Sequence, residues 1–179
     1  MFIYSNLKQL QKEAVKHNIK IGNESEVGNN THLSKDIIIG ENVAIGENVE
    51  IEHEVNIGDN STIMYSSTLR CNSTVGIGST LGLFSTLGSY STIGNRSTIG
   101  NRSIIGRFST IGDDVEIYHK VTLLARAKIK SGWVVKKAIH LVNVSGYIIE
   151  NEIIIQMGHF TKTLKELEKI IEIMKLYAD

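Results

Sequence analysis

The chain has 179 residues, as many Lys and Arg as Asp and Glu, one cysteine and no proline. Balanced charge leaves no electrostatic footprint for a nucleic-acid polymer, a single thiol excludes an internal disulfide, and no apolar run is long enough for a signal segment or a membrane span. A single cytoplasmic domain is therefore expected, and the absence of proline beside 16 glycines suits a regular solenoid better than a loop-rich fold.

Residues 1–20 read as a capping helix. Asn6 and Gln9 make a capping pair, and Leu7, Leu10, Ala14 and Val15 give one apolar face.

From Ile21 an aliphatic residue returns every six positions: Val27, Leu33, Ile39, Ile45, Ile51 and Ile57, and onward through Ile93, Ile99 and Ile105 to Val135 and Leu141. Glycine commonly follows it, as at Gly40, Gly58 and Gly94, and a small or β-branched residue precedes it by two, as at Val43, Ser61 and Ser97. A strand period of two sends the aliphatic and the small residue inward and the residue between them outward; the remaining pair turns a corner. A six-residue period cannot keep one face of a 3.6-residue helix, so the pattern predicts an all-β solenoid over 21–147. Its form is a left-handed parallel β-helix of about seven three-sided coils, roughly 30 Å long.

Residues 148–179 read as the second cap. The segment Tyr147 to Gln156 is a hairpin turning near Asn151, and Thr163 with Glu166 opens an amphipathic helix bearing Leu164, Leu167, Ile170, Ile171 and Met174.

The uninterrupted repeat resembles the hexapeptide-repeat acyltransferase superfamily, nearest to the bacterial nucleotide-sugar and xenobiotic-type acetyltransferases. Within it, Ile51-Glu52-His53-Glu54-Val55-Asn56-Ile57-Gly58 is similar to the segment that carries the general base of the nucleotide-sugar enzymes. The resemblance implies His53 as base and Glu54 as the carboxylate that orients it. An imidazole titrating near neutrality suits removal of a proton from an amine or hydroxyl attacking a thioester. His119 is a second candidate base, because the run from Ile105 to Ile117 resembles the approach to the catalytic histidine of the xenobiotic-type enzymes. The resemblance also implies acetyl-CoA or another acyl-CoA as cosubstrate, a sugar-like small acceptor, and a homotrimer that holds ligands in its clefts. The chain departs from the family in lacking the sugar-binding N-terminal domain, an extruded loop and the proline-containing ending. The stretch from Ile153 to Ile170 also resembles the tails of short phage and prophage hexapeptide proteins, which implies the alternative of a non-catalytic trimer sequestering a small nucleotide or sugar.

Charge is segregated along the repeat. Glu24 to Asp59 holds nine acids against Lys35 alone, Arg96 to Lys137 holds nine bases against three acids, and Cys71 to Asn95 carries no charge. Arg96, Arg102, Arg107, Arg126, Lys128, Lys136 and Lys137 are candidates to hold the phosphates of CoA. The first of them lie about 15 to 20 Å along the coils from His53. Apolar residues of the uncharged 71–95 region, Ile77, Leu83, Phe84 and Tyr90, are expected to meet other subunits. A zinc site of the γ-carbonic-anhydrase kind needs three histidines at one height, whereas His32, His53 and His119 are spread along the chain, so no metal is expected. Cys71 is expected at the corner of His53 one coil later, as a passive thiol.

Overall fold

The computed structural model of the chain describes residues 2–4, 14–141, 144–149, 152–157 and 160–163, with side chains described from 14 to 135. The six-residue period becomes a left-handed parallel β-helix, as the pattern predicts. Each hexapeptide gives a two-residue strand of one outward and one inward side chain, as in Thr74–Val75, Thr92–Ile93 and Thr110–Ile111. Thr74 pairs with Thr92 and Val75 with Ile93, so three hexapeptides close one turn. Face 1 runs from Lys20–Ile21 to Lys128–Ile129, face 2 from Glu26–Val27 to Val134–Leu141, and face 3 from Thr31–Leu33 to Thr122–Leu123. The inward aliphatics from Leu33 to Val135 are buried and stack on one another, which is the core.

The corners impose one backbone conformation on residues of many types. Every sixth residue from Asn18 to Arg126 is left-handed, with φ between 51° and 66°, apart from Gly78 at +66°. Asn fills this slot repeatedly because its side chain bonds locally there. At Asn42 and Asn60 the amides also bond each other between coils, at 2.9 Å. The glycine after the aliphatic answers to space rather than to φ. A Cβ on Gly94 would lie 2.5 Å from the backbone carbon of Gly112 in the next coil.

Inward serines do more than fill a small slot. Ser97 Oγ donates to Gly112 O at 2.9 Å and accepts from Val115 N at 3.0 Å, and Ser79, Ser85, Ser91, Ser103 and Ser109 repeat both bonds one rung apart. Ser73 Oγ breaks the ladder: among the described residues it is the one buried side-chain oxygen or nitrogen with no partner.

Both ends are covered by strands. Phe2–Tyr4 pairs antiparallel with Thr31–Leu33 at the first edge of face 3. Coil pairing ends at Val135; beyond it the eight-residue strand Val134–Leu141, a run without Gly or Asn to turn a corner, continues with a register shift between Val135 and Lys137. It pairs antiparallel with Val144–Ile149, so Leu141 lies in an antiparallel extension of the face 2 sheet and not in a further coil. The hairpin is present, with Ile149 opposite Glu152, and Phe160–Thr163 adds the last strand. The helix expected over residues 1–20 is not continuous: Phe2–Tyr4 and Lys20 are in strands and residues 14–16 are helical, with Ala14 buried but Val15 turned outward at 85% exposure, against the expected shared face. Residues 5–13, and the helix expected from Leu164, lie outside the described residues. Among the described residues no helix is long and apolar enough to cross a membrane.

Candidate functional site

His53 and Glu54 occupy the corner between faces 3 and 1, both exposed, with Glu54 in the left-handed slot at φ 60°. The turns on either side place Lys35 and Asp36 on one flank and Cys71 and Asn72 on the other. Corner backbones are locked to each other, Glu54 N to Lys35 O at 3.1 Å and Asn72 N to His53 O at 3.1 Å.

Along most corners the residue after the aliphatic is glycine, but here successive turns carry Glu52 and Arg70. Glu52 Oε1 accepts from Arg70 at 2.7 Å. Its Oε2 accepts from both Cys71 N at 2.9 Å and Cys71 Sγ at 2.7 Å. Cys71 Sγ in turn stands 3.5 Å from His53 Nδ1. Glu52, Arg70, Cys71 and His53 thus form one connected chain across two turns. Burial works to raise the Glu52 pKa, yet the Cys71 and Arg70 contacts outweigh it and hold the carboxyl below its ordinary value of 4.5. Burial first, and then the Glu52 carboxylate, push the Cys71 thiol above its ordinary 9.0, so it stays protonated at neutral pH.

The carboxylate joined to this corner is therefore Glu52, whereas the sequence singles out Glu54. Among the described residues, the Glu54 side chain has no hydrogen bond or ion pair. The signal that distinguishes Glu52 is an acidic residue in a glycine slot, with a base eighteen positions later in the same slot.

His119 sits at the corner between faces 2 and 3, and its Nδ1 accepts from Asn101 N at 2.9 Å. The side-chain oxygens of Asn101, one turn earlier, and of Asn95, at the corner between faces 1 and 2, accept the same bond from Leu83 N and Ile77 N. The Nδ1 lone pair of His119 is committed to the backbone, and the ring proton of the neutral imidazole then lies on Nε2.

The basic residues do not form one cluster. Arg96, at the corner between faces 1 and 2, is clamped by Asp114 through bonds of 2.7 and 2.8 Å; this contact raises the Arg96 pKa and lowers that of Asp114. Arg102, at the corner between faces 2 and 3, lies 5.8 Å over the Phe84 ring. Lys128 is on face 1, and the side chains of Lys136 and Lys137 lie outside the described residues. Only Arg107 and Arg126 share the corner of His53, on the turns beyond Cys71 and Ser89, with Arg126 N bonded to Arg107 O at 2.9 Å. On the same corner the rings of Tyr90 and Phe108 stack at 5.2 Å, and Arg107 lies 5.9 Å over Phe108.

The exposed apolar residues of the uncharged region are likewise distributed. Ile77 marks the corner between faces 1 and 2, Phe84 that between 2 and 3, and Tyr90 that between 3 and 1. Face 3 is flanked by two aromatic corners, Tyr65 with Phe84 on one edge and Tyr90 with Phe108 on the other, and carries exposed Ile104 between them. Among the described residues no group of three or more His, Cys, Asp or Glu is arranged to hold a metal ion.

The sequence matches the bacterial transferase hexapeptide (six repeats) family model over residues 18–53 and 36–71. No curated protein matches it. Among solved structures it is similar to a histidine-to-alanine mutant of GDP-perosamine N-acetyl transferase from Caulobacter crescentus in complex with CoA and GDP-perosamine. The identity is 21%, with a TM-score of 0.58 over 80% of this chain and 63% of that one. It is also similar to UDP-N-acetylglucosamine acyltransferase from Campylobacter jejuni, at 17% identity and a TM-score of 0.54 over 77% of this chain and 62% of that one. The chain thus spans under two thirds of either protein, and at these identities the likeness establishes the fold.

Proposed function

We propose that this left-handed β-helix, whose repeats match the hexapeptide transferase family model over residues 18–53 and 36–71, is an acyl-CoA-dependent acyltransferase, acetylating an amine or hydroxyl of a sugar-like small acceptor. The observation that carries this reading is the corner between faces 3 and 1. It bears an exposed histidine tied to a charged network at one height, and stacked rings with Arg107 and Arg126 farther along the same edge. His53 and Arg107 are three turns apart, on the order of 15 Å, a span suited to an extended pantetheine arm.

In the proposed reaction His53 takes the proton of the acceptor N–H or O–H as the heteroatom attacks the thioester carbonyl. The tetrahedral intermediate collapses with cleavage of the C–S bond, and the leaving thiolate takes a proton to give free CoA. Arg107 and Arg126 are assigned to the phosphates of CoA, and the Tyr90 and Phe108 rings to its base. Arg96 is already paired with Asp114 and lies on another corner. Glu54 stays in the proposal as an exposed charge beside the acceptor, while the orienting role passes to the network around Glu52. The acyl-CoA would lie in a cleft between subunits of a homotrimer. Face 3 is the surface assigned to that assembly, because burying its Ile104 and aromatic edges removes the largest exposed apolar side chains from water.

The test is thiol release from acetyl-CoA with a panel of amino sugars and nucleotide-linked amino sugars, with His53→Ala as control and binding followed by calorimetry. Acceptor-dependent thiol release that falls about 100-fold or more in His53→Ala is the expected result. Stoichiometric binding without thiol release on any acceptor, and unchanged in His53→Ala, overturns it in favour of a non-catalytic trimeric binding protein.

A further inference from the structure

The proton arrangement at the His53 corner follows from counting donors and acceptors. Both oxygens of Glu52 are engaged, Oε1 by Arg70 and Oε2 by the Cys71 backbone N–H and thiol. An ionised carboxylate only accepts, so the proton between Glu52 and Cys71 belongs to sulfur. Once its S–H is given to Glu52, Cys71 has only lone pairs to offer His53, whose Nδ1 is 3.5 Å away. Nδ1 must then be the N–H donor. Burial and the neighbouring carboxylate both keep the thiol protonated, in agreement with this order.

We propose that Cys71 is a positioning residue that fixes the tautomer of His53, relaying the charge of Glu52 through its thiol so that Nδ1 carries the proton and Nε2 is the basic atom. This rests on the reading of His53 as the base; its role replaces the carboxylate–histidine contact that the sequence places at Glu54. The other charged groups around the ring are Glu54 beside it, Lys35 and Asp36 on the preceding turn, and Arg70 on the following one. Lys35 and Asp36 pair with each other at 3.8 Å, and Arg70 is held by Glu52, which leaves the thiol as the polar group at Nδ1. A serine at position 71 can both donate and accept, so Cys71→Ser keeps the relay, whereas Cys71→Ala removes it while Glu52 keeps its bonds from Arg70 and from the backbone N–H of residue 71.

The experiment is nitrogen-15 NMR of the histidine rings in the full chain, with the His53 signals identified by their loss in His53→Ala. Wild type and Cys71→Ser are expected to show the Nδ1–H tautomer, and Cys71→Ala a shift toward Nε2–H. In the thiol-release assay Cys71→Ala is expected to lower kcat about tenfold with the KM for acetyl-CoA unchanged, and Cys71→Ser to restore it within about threefold. An Nε2–H tautomer in wild type, or one indifferent to Cys71→Ala, overturns the relay whether or not the protein turns over. The Nδ1–H tautomer with the expected Cys71 dependence supports the relay, and if no acceptor then releases thiol, it is the acyltransferase reading that fails.

Discussion

Ser97→Ala and Ser73→Ala change the same atom at equivalent inward positions, both fully buried, and should move stability in opposite directions. Ser97 Oγ satisfies Val115 N–H and Gly112 O on the next turn. Deleting it leaves two buried backbone groups unpaired, at about 1–3 kcal/mol each and less where the backbone relaxes, so a loss of about 2 kcal/mol is expected. Ser73 Oγ has no partner, and removing an unsatisfied buried hydroxyl is neutral or stabilising by up to about 1 kcal/mol. Urea unfolding followed by circular dichroism reads both. With a slope of about 3 kcal/mol/M for a chain of this size, Ser97→Ala should lower the midpoint by about 0.7 M, and Ser73→Ala should hold or raise it. Samples are compared at one protein concentration, because any assembly adds concentration-dependent stability. If Ser73→Ala loses as much as Ser97→Ala, the hydroxyl ladder is not what the inward serines contribute, and they act by size alone.

Glycine substitutions should separate space from conformation. Gly94→Ala drives a Cβ against the Gly112 backbone and should prevent close coil packing, whereas Gly78→Ala meets only Arg96 Cγ at 3.8 Å and costs about 1 kcal/mol for its φ of +66°; thermal melts of both variants check the order. The Glu52 and Cys71 pair should make stability depend on pH at both extremes. The folded pKa of Glu52 is depressed, so its contribution is present above 4.5 and lost as pH falls through the folded value. That of Cys71 is raised, so its contribution is present below 9.0 and lost as pH rises through the folded value. Glu52→Gln should remove the Glu52 share of the acid limb, leaving that of Asp114, and reduce the alkaline limb in part, as read by denaturation midpoints across pH. Ile104→Glu places a charge on the outward side of face 3, between its aromatic edges, and should convert the proposed trimer to monomers in sedimentation, with the circular dichroism of the coils preserved.

The fold was legible because the six-residue series encodes packing directly: each inward aliphatic from Leu33 to Val135 is buried where the period puts it. The end of the coils was not, since Leu141 keeps the phase while its strand pairs antiparallel, and periodicity does not report the direction of a partner. At the site, stacking by eighteen places Cys71 beside His53 from the sequence alone. The choice of Glu52 over Glu54 was legible only through the eighteen-residue stacking that sets Glu52 beneath Arg70 in the glycine slot, and the resemblance to a known motif points to Glu54 instead. The basic cluster dissolved for a related reason. Arg96, Arg102 and Arg107 are neighbours in a linear count of charge, yet six-residue steps carry them to three different corners.

Backbone hydrogen bonds at strands and corners alike repeat from turn to turn. The edge bearing His53 is therefore graduated like a rule, in divisions of about 4.8 Å. Gain or loss of one division between Cys71 and Arg107 asks for no new backbone geometry, only eighteen residues in phase. The distance between the proposed reactive end at His53 and the proposed anchoring end at Arg107 is thus quantised, and a lineage can lengthen or shorten that reach in whole steps while leaving the His53 corner untouched.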